Sequence, residues 1–509
     1  MRRIFGRAGS SLNSTASGGG HRPRAWVSLA LSASLLSASV AMAPPSSAAL
    51  LGLLGSETVI VTAGSSAGAA ALVVAELGTV LTTLPVVNSV QATVSPAVAA
   101  ALALLPGVTV TPDISVDVQS VPPQGRPGAA VFPEATGATV LAGQGDTGSG
   151  VNVAVLDTGI DNLPDFAGRL AGGVDLTGGG NPFRDDYGHG TFVAGLIAGD
   201  GASSAGTYTG EAPGAGLVSV KVAGASGTTS LSTLISGIGW TIANRVPLGI
   251  RALNLSLGSV PTTSTLLNPL DRAVEAAWNA GIVVVASAGN AGPFNGTIMA
   301  PGDDPLVITV GSLDDNGTPT SADDVMSPFS SVGPTSPDGW LKPDLVASGR
   351  SVVSLRAPGS TIDNAYPSAR VGAADFVGSG TSFSTAITTG AVALVLSMHP
   401  TLTPDQVKAR ILATTTPGPV GNPFVDGHGA VDALAAASAP ALDLAQNPLG
   451  GVAAVLGETV GLSQRWAVSS WNPLNWSGLV GLPGAAATGT AWNGTAWNGT
   501  AWNSSQWGS

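Results

Sequence analysis

The chain has no cysteine in 509 residues. Disulfides therefore contribute nothing to its stability, and a thiol nucleophile or a cysteine-ligated metal is excluded. Charge is scarce as well: Asp, Glu, Lys and Arg make up 10% of the residues, against roughly a quarter in an ordinary globular chain. Lysine occurs only at Lys221, Lys342 and Lys408, and the net charge of −12 offers no basic surface for nucleic acid. Histidine is confined to His21, His189, His399 and His428. His21 lies in the leader, His399 precedes Pro400 at a helix end and His428 sits in a glycine turn, so His189 is the one good candidate for a general base. The length exceeds one ordinary domain and allows a core of about 300 residues with appendages.

What is present is a set of four short motifs in fixed order: Asp157-Thr158-Gly159-Ile160, His189-Gly190-Thr191, Ala288-Gly289-Asn290 and Gly380-Thr381-Ser382. A serine hydroxyl is a poor nucleophile at neutral pH. It needs a base to take its proton, an acid to orient that base, and donors to hold the developing oxyanion. Ser382, His189, Asp157 and Asn290 are the residue types for those four tasks. Asp157 closes the apolar run 151–156, which reads as a buried parallel strand, and residues 281–287 read as a second strand that delivers Asn290 to the same rim. In open α/β sheets that rim is where ligands bind. His189 to Gly199 and Ser382 to Met398 read as helices, and a helix N-terminus favours negative charge forming beside Ser382. A second triplet, Asp146-Thr147-Gly148, mimics an aspartic-peptidase signature, but two triplets this close cannot come from two lobes.

The order Asp, His, Ser, with these motifs around it, resembles the subtilisin-like serine peptidases, the subtilases. Residues 254–258, the Ala300-Pro301-Gly302 turn, Lys342-Pro343-Asp344-Leu345 and Gly427 to Asp432 extend the resemblance over about residues 50–437. Three positions depart from the family's common pattern: Phe192 where a second histidine is usual, and Ala386 and Ser348 where prolines are usual. The resemblance implies an α/β, three-layer fold with a mostly parallel central sheet. It also implies a serine endopeptidase with Asp157, His189 and Ser382 catalytic and Asn290 in the oxyanion hole. Substrate backbone is then expected to add as a strand along Ser256, Leu257 and Gly258 and an opposing segment around Gly227, with Ala288 and Gly289 forming a further wall. Neither wall carries an acid, and Met299 is expected near the pocket floor, so apolar P1 residues are expected.

The flanks read differently. Arginines at 2, 3, 7, 22 and 24 followed by the apolar stretch 25–43 read as a secretory signal, ending by Ala48, with an uncleaved anchor as the alternative. Residues 49–118 have a β-α-β-β-α-β-like order that resembles the subtilisin-type propeptide, a folding chaperone and inhibitor; an independent ferredoxin-like domain is the alternative. Helices are expected over 66–77 and 95–105, strands over 57–62, 86–94 and 107–112, and residues 119–130 form a Pro/Gly-rich linker where processing is expected. The catalytic domain is expected over 131–437.

Residues 438–509 carry tryptophans at 466, 471 and 476 and again at 492, 497, 502 and 507, five apart within each cluster. A period of five fits neither a helix face nor a strand face. The segment is a low-complexity tail, or an adhesive one that binds glycan or cell envelope. A secreted, monomeric zymogen whose partners are protein substrates and its own propeptide is the expectation. Its rival is a catalytically idle subtilase fold that binds the envelope through the tail. No cofactor is required by this chemistry; the family often binds calcium, and the acidic turns 314–316 and 323–324 read as solvated, with no ligand spacing to assign.

Overall fold

The N-terminal part of the chain alternates short β-branched runs with alanine-rich stretches, and the computed structural model folds them as strands and helices. It describes residues 55–118, 121 and 128–440. The expected signal at 1–48, most of the linker and all but the start of the segment from 438 lie outside the described residues. Strands β1 (Glu57–Thr62), β2 (Thr79–Leu84), β3 (Ser89–Val94) and β4 (Thr109–Pro112) form an antiparallel sheet in the order β2-β3-β1-β4. Helices α1 (Ser66–Ala75) and α2 (Pro96–Ala103) are capped by Ser65 and Ser95, whose hydroxyls accept from Gly68 N and Val98 N. Both helices are shorter than expected. The expected strand over 86–94 begins only at Ser89, because Pro85–Val87 forms a 3₁₀ turn.

Strand β5 (Ser115–Val118) leaves this sheet, and the larger unit begins beyond it. Its sheet strands are β6 (Asn152–Asp157), β7 (Leu170–Asp175) and β8 (Gly216–Lys221), with α3 (His189–Ala198) between β7 and β8. After the short strand β9 (Thr228–Ser230) come α4 (Leu231–Asn244), β10 (Ile250–Leu255), β11 (Leu257–Gly258), α5 (Pro269–Asn279) and β12 (Val283–Ser287). Strands β13 (Ile308–Asp314), β14 (Val325–Met326) and β15 (Leu345–Ser348) and the long helix α6 (Thr381–Met398) complete the frame. The order β14-β13-β12-β10-β6-β8-β7 is parallel throughout except at β14, and β15 joins β13 in parallel.

The continuous apolar runs explain this arrangement. Val153 to Leu156 and Val283 to Ala286 show no polar alternation and are wholly or almost wholly buried, as strands covered on both faces must be. Two helix pairs cover them: α3 with α6, and α4 with α5. Helix α6 is long and apolar enough to cross a membrane, but it is a core helix here, buried over 89% of its length. Its Ile387, Val392, Leu394, Val395 and Leu396 are wholly buried, each stabilising the fold by about 1.5–3 kcal/mol relative to exposure.

Candidate active site

Parallel strands end together, and Asp157 is the last residue of β6. Helix α3 starts at His189 beside it, and His189 Nδ1 meets both carboxylate oxygens of Asp157, at 2.8 and 2.9 Å. Both side chains are buried. The approach needs two glycines. A Cβ on Gly190 would stand 2.1 Å from the Gly159 carbonyl oxygen, and Gly159, at φ +109°, would drive one into the Arg184 carbonyl.

A second set of contacts holds this pair in register. Thr158 Oγ1 accepts from Gly190 N at 2.9 Å and donates to Asp185 Oδ1 at 2.8 Å. Asp185 in turn accepts from Gly188 N and Thr191 N. Its carboxyl, fully buried, is pushed above the usual range by desolvation, and those donors oppose the shift. The strand end and the helix start are thus fastened to one buried carboxyl.

Ser382 enters from the first turn of α6. Its hydroxyl donates to Ser256 O at 3.1 Å, and Ser256 Oγ donates back to Ser382 O at 3.2 Å. His189 Nε2 has no hydrogen-bond partner among the described residues, so the hydroxyl is turned to Ser256 rather than to the imidazole. The Phe383 ring packs against His189 with centroids 5.6 Å apart, and Phe192 packs on Phe383 at 4.4 Å. Phe192, the departure from the family's second histidine, is therefore packed on the ring that covers His189.

Asn290 follows β12 as expected. Its Oδ1 accepts from both Thr381 N and Thr381 Oγ1, each at 2.9 Å. Those two donors determine which side of the amide is oxygen. They leave Nδ2 buried without an acceptor. Thr381, Thr158 and Asp185 were not singled out from sequence, although each lies within a motif or a few residues before one.

The expected substrate-binding strands flank a strand of this same chain. Strand β5 runs antiparallel to both β9 and β11, pairing Val118 with Leu257 and Asp117 with both Gly258 and Thr228. Val118 N also donates to Gly227 O at 3.1 Å, and beyond the site Val121 N donates to Ser379 O at 2.9 Å. On Val121's side lies a cavity of about 140 Å³ walled by Tyr187, His189, Phe192, Leu355, Phe376 and Phe383, among others. On the other wall Ala288 O accepts from Met299 N at 2.9 Å, and Met299 lies against Gly289, whose added Cβ would come 2.7 Å from Met299 Cγ.

The other titratable candidates are structural. His399 Nε2 bonds to Ala437 O at 2.8 Å, and burial pushes His428 down to about 4, so it stays neutral near pH 7. Contrary to the expectation of solvated turns, Asp314 and Asp315 are buried. Asp314 pairs with Arg350 at 3.0 Å and Asp315 accepts from Gly317 N, so the polypeptide itself supplies partners that water would otherwise provide. Among the described residues no group of three or more His, Asp or Glu side chains could hold a metal ion.

Comparison with known proteins follows this geometry. The family model described as Peptidase_S8, the subtilase family, matches residues 148–430. Serine protease AprX of Bacillus subtilis strain 168 is 45% identical over 299 residues, covering 58% of this chain and 67% of its own. Subtilisin NAT of Bacillus subtilis subsp. natto is 38% identical over 304 residues, 59% of this chain and 69% of its own. The crystal structure of fervidolysin from Fervidobacterium pennivorans, a keratinolytic enzyme related to subtilisin, matches 77% of this chain and 62% of that one at a TM-score of 0.61. Its 24% identity speaks for the fold alone.

Proposed function

The chain belongs to the subtilase family of subtilisin-like serine endopeptidases, and from that premise we propose that Asp157, His189 and Ser382 carry its peptide hydrolysis. The observation that supports this most is the conjunction of a buried carboxylate–imidazole pair with an Asn290 Nδ2 that lacks an acceptor, both at the rim that Ser382 enters. In the reaction the Ser382 hydroxyl turns from Ser256 O to His189 Nε2, a contact that often tightens only with substrate bound. Oγ then attacks the carbonyl, and Nε2 takes its proton and gives it to the leaving amine. Asp157 holds the ring through Nδ1 and stabilises the imidazolium. Asn290 Nδ2 and the Ser382 N–H donate to the oxyanion.

The chain is made as a secreted zymogen in this reading. Residues 49–118 act as the inhibitory propeptide, with β5 lying where substrate backbone would add. Val118 is held at Gly227 and Leu257 and Val121 at Ser379, three residues before Ser382, so in this reading the bond cut in self-processing falls between them, at the front of the expected linker. The apolar P1 preference follows from walls without acids: Asp303 and Asp304 are buried beside Asp271 and Lys342.

One expression experiment in a protease-free host tests these points together. The wild-type chain should be recovered from the medium with its N-terminus between residues 119 and 121, cleaving chromogenic peptides with P1 Leu or Phe faster than P1 Arg. Ser382→Ala should accumulate, inactive, as a precursor retaining residues from about 50. Normal maturation of that variant would end the self-processing reading, and faster cleavage after Arg would end the pocket assignment.

A further inference from the structure

Helix α5 carries Asp271 and Glu275 one turn apart, and both are buried. The loop that follows Met299 brings Asp303 and Asp304, also buried, against that helix. Asp304 has partners: Oδ1 accepts from Leu306 N at 2.8 Å, and Lys342 and Lys408 lie close by. Those lysines are committed to Asp344, at 2.7 and 3.0 Å, and to the carbonyls of residues 305–307. Asp271 and Asp303 differ from it. All four of their carboxyl oxygens lack a conventional donor, and the two groups lie within hydrogen-bonding reach of each other.

Two bare carboxylates side by side, buried among further acids, repel strongly. One proton shared between them replaces the repulsion with a charge-assisted hydrogen bond. We propose that Asp271 and Asp303 share a proton, and that this pair is a pH-sensitive lock fastening the 299–304 loop to helix α5. The loop is itself part of the cleft wall. Met299 N bonds to Ala288 O, Ala300 and Ser259 exchange hydrogen bonds of 2.9 and 3.1 Å, and Asp303 N bonds to Met299 O. A lock on Asp303 therefore acts on the segment that supports Ser256 to Gly258 and Ala288 to Gly289.

The charged groups facing the pair set its sign. Asp271 faces Asp303, Asp304 and Glu275, and Asp303 also faces Asp338 and Lys342. Burial first, and then these acids, push Asp271 well above the usual carboxylate range and Asp303 to about 7. The folded values exceed the unfolded one. The stabilisation is therefore complete in acid and is lost as the pH rises through neutrality into the alkaline range.

Thermal unfolding of the full chain in a Ser382→Ala background tests this without self-digestion, and it does not depend on the chain being a peptidase. The parent should lose several degrees of Tm between about pH 6 and about pH 9. In Asp271→Asn the amide donates permanently to Asp303, so that loss should shrink by several degrees, and Asp303→Asn should do the same from the other side. Single variants that lose Tm as steeply as the parent would overturn the lock. So would calcium restoring alkaline stability to the parent alone, since a cation and not a proton would then bridge the pair.

Discussion

At the scale of single residues, the partners of Asn290 support the oxyanion role proposed for it. Thr381 saturates its carbonyl oxygen and leaves the N–H₂ without an acceptor, an arrangement useful only when negative charge forms nearby. Asn290→Ala should therefore lower kcat by about 10²–10³ with little change in KM, a magnitude carried over from an oxyanion donor in a related enzyme. Steady-state kinetics on a substrate with rate-limiting hydrolysis would show it, and an unchanged kcat would remove Asn290 from the mechanism. The four residues proposed for catalysis could be picked out in the sequence because each sits in its own short motif and the order of the motifs is informative. The hold of Thr381 on Asn290 was not legible, since it joins residues 91 positions apart. The burial of Asp314 and Asp315 escaped for a similar reason: Arg350, which offsets part of its cost, is supplied by a distant loop.

At the scale of elements, the helices that begin at His189 and Thr381 enclose a buried acid. Glu211 N bonds to Leu196 O of α3 at 2.9 Å, and a Cβ on Gly390 of α6 would strike the Glu211 side chain. Desolvation pushes its carboxyl to about 8, with Thr136 opposing and Asp432 adding slightly. Since the folded value lies above the unfolded one, the protonated acid is tolerated below neutrality, and stability falls as the pH rises toward 8. Glu211→Gln should remove that dependence and raise stability near pH 9 by on the order of a few kcal/mol. Chemical denaturation at pH 6 and pH 9 would measure it, and equal pH dependence in both proteins would contradict the assignment. The elements read from sequence were those with plain signals. Buried parallel strands such as β6 and β12 are short unbroken apolar runs, whereas the caps that Ser65 and Asp432 supply were not read as helix starts. Strand β2 was not readable: Thr79-Val80-Leu81-Thr82-Thr83-Leu84 has no clean alternation, and only Leu84 is buried.

At the scale of the whole molecule, the N-terminal sheet and the larger unit are joined by burial as well as by β5. Ile60, Leu84 and Val87 belong to the same continuous core as the central strands, while Val59, Val61 and Val73 form the sheet's own smaller core. Asp113 ties the two polar surfaces together, accepting from Gln91 Nε2 at 2.7 Å and from Ser232 N at 2.9 Å at the start of α4. That docking leads into β5, which pairs with β9 and β11, the contacts on which the proposed inhibitory role of this region rests. The proposed mechanism makes Ser382 the nucleophile. The most direct test is to treat the matured protein with a phosphonate serine-hydrolase probe and map the adduct by mass spectrometry. The account predicts one stoichiometric adduct on Ser382, lost in His189→Ala; an adduct on another serine, or peptide hydrolysis that proceeds with Ser382 unlabelled, would contradict it.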